Sequence, residues 1–141
     1  MGMKERDFIN SAPIERRLVS NVIKQFGSWE SFTESAEDVI NHGIDSGYGQ
    51  FVYYVDTVKF YNKNKKDILG LLEEQACDFG MDQFEMLKSF KCMEGLSSME
   101  IADGLFSRDA LDEVKNCLSW YAAEEVCRAY VDYLDEIKNR S

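Results

Sequence analysis

Apolar residues recur at every third or fourth position along most of this chain, which is the spacing of helices that bury one face. In SAPIERRLVSNVIKQFG, Ile14, Leu18, Val19, Val22, Ile23 and Phe26 hold that spacing, with Pro13 suited to a first turn and Gly27 to a stop. The pattern predicts a helix from Ser11 to Gly27. Ser28 and Ser35 each precede a short run, WESF and AEDVINH, whose acids suit a helix N-terminus. Two short helices are therefore expected, the second closed by Gly43. Gly43, Gly47 and Gly49 then mark a joint. FVYYVDTVKFY has β-branched and aromatic content that suits a strand, but Phe51, Tyr54, Val55, Val58 and Tyr61 share one helical stripe, which favours helix. Asn64 with Asp67 reads as an N-cap opening a helix whose Ile68, Leu69, Leu71, Leu72, Ala76 and Phe79 run to Gly80. Asp82 caps a shorter one with Phe84, Leu87 and Phe90. The stretch from Gly95 to Gly104 reads as a connection. From Ser107 and Asp109 a last helix, the longest, runs to about Lys138 with no Gly or Pro inside it.

These elements add up to a mostly α fold: one domain over residues 1–141, a helical bundle or irregular helical cluster with a long C-terminal helix. Residues 1–10 are a candidate disordered segment. The 141 residues are 45% hydrophobic and 13% aromatic, enough for a buried core and too much for disorder. No apolar run approaches the ~18 residues a bilayer span needs, so no membrane contact and a cytoplasmic setting are expected. Cys77, Cys92, Cys117 and Cys127 form no Cys-x-x-Cys pair, and His42 is the only histidine. That spacing argues against zinc, and the cysteines read as small hydrophobes kept reduced. His42, just before Gly43, reads as a helix C-terminal residue favoured by the dipole.

Charge alters this bland picture. The chain carries 26 acids against 16 bases, a net charge of −10, which disfavours direct binding to nucleic acid. The surplus lies in the second half: residues 71–141 hold sixteen acids and seven bases, whereas residues 1–70 hold ten and nine. On a helical wheel Glu124, Glu125, Asp132, Asp135 and Glu136 share an arc of roughly 120°, and Ala122, Val126, Tyr130, Tyr133, Leu134 and Ile137 fill another. Leu111, Val114, Leu118 and Tyr121 point elsewhere, so the helix bends or changes packing partner midway. Asp112 and Glu113 add acids near its start. A solvated face accounts for any single carboxylate, but the set suits a cationic partner such as a protein channel that holds nucleic acid. Tyr48 and Tyr53, beside the glycine joint and off the buried stripe, are candidates for the same contact surface. The candidate partner-binding residues are thus Asp112, Glu113, Glu124, Glu125, Asp132, Asp135, Glu136, Tyr48 and Tyr53.

No catalytic signature emerges. Adjacent carboxylates such as Glu73 with Glu74, Asp112 with Glu113 and Glu124 with Glu125 point about 100° apart on a helix, poor geometry for converging on one ion or proton. Phosphate-binding glycine loops and the Gly-x-Ser-x-Gly elbow are missing from the sequence. No catalytic residue, cofactor or metal is assigned.

The runs GYGQFVYYVDTVKFYNKNKKDILGLLEEQA, from Gly47 to Ala76, and LSWYAAEEVCRAY, from Leu118 to Tyr130, resemble a family of small acidic proteins of phages and bacterial mobile elements. The Tyr-Tyr-x-Asp-Thr core at residues 53–57 is the most recognisable part. Some members of that family resemble inhibitors of the RNA-guided nuclease of type II CRISPR systems. The resemblance implies an anti-CRISPR protein: a non-enzymatic, stoichiometric binder of that nuclease in the bacterial cytoplasm, presenting carboxylates as a DNA mimic. The alternative is a structural or adaptor protein of a phage or mobile element, homo-oligomers included. A metal-dependent hydrolase ranks third.

Overall fold

A computed structural model describes residues 2–42, 56–107 and 110–140. Their regular elements are helical: α1 (Gly2–Ser11), α2 (Arg16–Gln25), α3 (Trp29–His42), α4 (Thr57–Asp78), α5 (Gln83–Lys88), a 3₁₀ turn (Lys91–Met93), α6 (Ser98–Phe106) and α7 (Asp112–Arg140). The helical cluster with a long C-terminal helix is therefore the fold. The glycine joint and residues 51–55, with Tyr48 and Tyr53 among them, lie outside the described residues, while residues 57–61 of the same aromatic segment are helical.

The chain divides into two compact units. One holds the described residues of Met1–Val55 and of Tyr121–Ser141, and the other holds those of Asp56–Trp120. Helix α7 contributes its first part to the second unit and the remainder to the first.

In the first unit α2 packs on α1 and α3. Residues 2–10 of the candidate disordered segment are instead helical, within α1, and Phe8 is fully buried. The Phe8 ring meets Trp29, Phe32, Tyr130 and Tyr133 at centroid distances of 5.9, 6.0, 5.4 and 5.6 Å. Such aromatic contacts fasten a segment whose own sequence is polar. Helix α2 starts at Arg16, later than the sequence suggests, and buries Leu18, Val19, Val22 and Ile23. The two short helices expected after Gly27 are one. Ser28 accepts the Ser31 backbone N–H at 3.1 Å and so caps α3, while Ser35 lies within that helix, wholly buried.

In the second unit α4 packs on α5, and α5 on α6. The N-cap expected at Asn64 sits two turns earlier, where the Asp56 carboxylate accepts the Lys59 N–H at 3.0 Å. Asn64 is mid-helix and buried, donating to the Phe60 carbonyl at 3.0 Å. Helix α4 stops at Gly80, whose φ of +71° lets Gly80 and Met81 donate to the carbonyls of Cys77 and Ala76. Asp82 caps α5 as expected, with Glu85 completing a reciprocal capping box. The connection expected between Gly95 and Gly104 contains α6, opened by a second box of Ser97 and Glu100. Gly104 is inside that helix because a Cβ there would strike the Val114 side chain of α7, and its carbonyl accepts the Tyr61 hydroxyl at 3.2 Å.

The cysteines are not all reduced: Cys92, beside the 3₁₀ turn, is joined to Cys117 on α7, their Cα atoms 6.1 Å apart. Sequence separation gave no hint of this, because the excursion through α6 brings the two ends of that stretch together. Ser119 donates to the Thr57 carbonyl at 2.7 Å and the Thr57 hydroxyl bonds Asn116, tying the start of α4 to α7. Of the two alternatives for the last helix, a bend or a change of packing partner, the second fits its division. Val114 and Leu118 are buried within the second unit and Tyr130 among the aromatic rings of the first, although Tyr121, grouped by periodicity with Val114 and Leu118, falls in the first unit.

Candidate binding surface

The acidic surface begins with the aromatic cluster that fixes α7 in the first unit. Tyr130 meets Trp29 and Phe32 edge-on at 5.4 and 5.5 Å, and Tyr133 lies beside it, half-buried. With that side of the helix inward, the opposite arc faces solvent. Asp132, Asp135 and Glu136 are exposed there, while Glu124 and Glu125 are partly covered. Arg128 stands among these acids. Its guanidinium lies 3.7 Å from Glu124 and 3.6 Å from Glu125, four and three residues back along the helix. Pairs that long and that open to water contribute little stability, and one arginine shared by two carboxylates leaves the trio negative.

The field of these acids registers on their neighbours. Burial pushes the Tyr121 hydroxyl and the Cys127 thiol up, and the Glu125 and Glu124 carboxylates respectively add to each effect. Tyr130 is also raised, by burial first, then by Glu37 of α3 and by Tyr133. In each case a negative charge close by opposes a second one.

Glu37 introduces residues that reading by halves overlooks. Glu30, Glu34 and Glu37 are exposed on α3 at helical spacing, and no Lys or Arg occurs between Trp29 and His42. Splitting α3 at Ser35 breaks that period, and pooling it with lysines elsewhere in the first half hides its charge. A wheel drawn over Trp29–His42 as one helix would have found it.

Glu124, Glu125, Asp132, Asp135 and Glu136 come together in the first unit. Asp112 and Glu113 belong to the second, exposed in the first turn of α7, where acids complement the helix dipole. Tyr48 and Tyr53 lie outside the described residues. Among the described residues no group of three or more His, Cys, Asp or Glu side chains is placed to hold a metal ion. No described helix is long and apolar enough to cross a membrane.

Fold and surface together define an all-helical protein with a carboxylate-lined helix face. The chain belongs to the family described as a domain of unknown function (DUF7222), whose sequence profile matches residues 14–136 and so runs through both units. No curated protein and no solved structure matches it.

Proposed function

We propose that this chain is a non-enzymatic binding protein that engages a basic protein partner through the acidic arc of α7. One observation carries the reading: three carboxylates, Asp132, Asp135 and Glu136, are exposed on the arc of α7 opposite its buried aromatic side. Such a row competes with phosphates for a cationic groove and steers the approach of its owner. The partner proposed is a type II RNA-guided nuclease, inhibited stoichiometrically before or after it engages DNA. That identity rests on the resemblance of residues 47–76 and 118–130 alone. A DNA-cleavage assay with the purified nuclease tests it. Wild-type chain at equimolar amounts is expected to protect the substrate, and the triple variant Asp132→Asn, Asp135→Asn, Glu136→Gln to lose that protection. Full cleavage in the presence of wild-type chain removes the nuclease as partner.

A second reading, an adaptor that assembles through apolar contacts, is favoured by Met99 and Phe106. They are 76% and 77% exposed, seven residues apart on one face of α6. Under that reading Phe106→Ser reduces assembly and the acid substitutions do not.

A further inference from the structure

Helix α4 presents one solvent-facing stripe along its 22 residues. Lys59, Lys63, Lys66, Gly70, Glu73 and Glu74 are all exposed and lie within about 100° of one another on the helix. The first half of the stripe is basic and the second acidic, with Gly70 between them. Half-buried Lys65 and Asp67 lie to its sides and leave that order unchanged. The order opposes the helix dipole, which favours acids at the N-terminus and bases at the C-terminus, yet Lys59 stands in the first turn and Asp78 in the last. Gly70 is equally unexplained by the chain's own packing. Glycine weakens a helix interior, and a Cβ at Gly70 would meet nothing within 4 Å.

A second copy laid antiparallel across Gly70 accounts for both features. A two-fold axis at that residue sets the basic half of each helix against the acidic half of the other. Lys66 then lies level with Glu74, and Lys63 one turn from it. Every such pair is made twice, because a two-fold interface uses the same patch on both copies. The two dipoles oppose, and glycine at the crossing lets the backbones approach closely. We propose that the exposed face of α4 is a homodimerisation surface, antiparallel, with Gly70 at its crossing point. One helix pair is smaller than a standard protein interface, so the dimer is weak and sensitive to salt.

Sedimentation velocity of the full chain, from micromolar to near-millimolar concentration at low and high salt, tests this. A monomer–dimer equilibrium is expected that moves toward monomer as salt rises. Lys66→Glu should raise the dissociation constant about tenfold or more, since it reverses two symmetric pairs at once. Adding Glu74→Lys to that variant should restore the dimer with the charges exchanged. Gly70→Gln puts a better helix former into open space, so it should raise the thermal midpoint of the monomer while abolishing the dimer, which separates lost association from lost folding. A chain that stays monomeric at low salt overturns the proposal. So does a dimer that persists through Gly70→Gln and Lys66→Glu, or one that is lost instead on neutralising Asp132 and Asp135.

Discussion

Gly104 and Ser35 are small residues on buried helix faces whose substitutions by alanine have opposite expected signs. At Gly104 the added methyl collides with Val114, itself fully buried and unable to swing away. Gly104→Ala is expected to cost about 1–3 kcal/mol as overpacking, read as a lower urea midpoint. Ser35 is fully buried, and its hydroxyl finds no hydrogen-bond partner among the described residues. Ser35→Ala removes a desolvated polar group and improves helix propensity, so the same measurement should show a gain of about 1 kcal/mol. Tyr61 adds a dependence on pH. Burial pushes its hydroxyl from 10.0 up to about 12. Below pH 10 folded and unfolded chains both keep this proton and the full stability is present. Between about pH 10 and 12 the unfolded chain releases the proton while the folded chain holds it, so stability falls as pH rises through that window. Urea midpoints across it should fall in the wild type and fall less in Tyr61→Phe. Equal slopes in the two proteins would contradict the assignment.

At the level of elements, what could be read from sequence was what is local. The Asp82 box needs only residues within one turn of it, and the apolar period of α2 needs only its own side chains. Helix α6 had an equally legible box, Ser97 with Glu100, but Gly104 made the stretch look like a connection. That glycine answers to Val114, ten positions away and on another helix. Helix α1 was missed for a similar reason, since Phe8 finds its partners at positions 29, 32, 130 and 133. The acids of α7 were placed on the right arc by periodicity, whereas their division between two units was invisible to it. The Cys92–Cys117 bond is likewise non-local, closing a stretch of 25 residues that includes α6. By the loop-closure account its reduction should destabilise the chain by about 3.5 kcal/mol. Thiol counting checks the pairing. Without reductant Cys77, which is exposed, should react quickly, and Cys127, buried with its thiol pushed up, slowly or not at all. Fast reaction of Cys92 before reduction would contradict the bond.

For the whole molecule, the net charge of −10 has a layout as well as a size. Lysines gather on the first half of α4, and carboxylates on α3 and on the stretch of α7 from Glu124 to Glu136, where Arg128 is the single base. A purely solubilising surplus would show no such sorting, since interspersed signs serve solubility with less self-repulsion. On the proposed reading the α7 acids act outward on a cationic partner. The most direct test is the dissociation constant for a purified type II RNA-guided nuclease across a salt series, for wild type and for Asp132→Asn, Asp135→Asn, Glu136→Gln. Expected are a complex at low salt whose affinity falls steeply with ionic strength, and a weaker, flatter dependence in the variant. No complex at low salt, or identical curves for the two proteins, would contradict it.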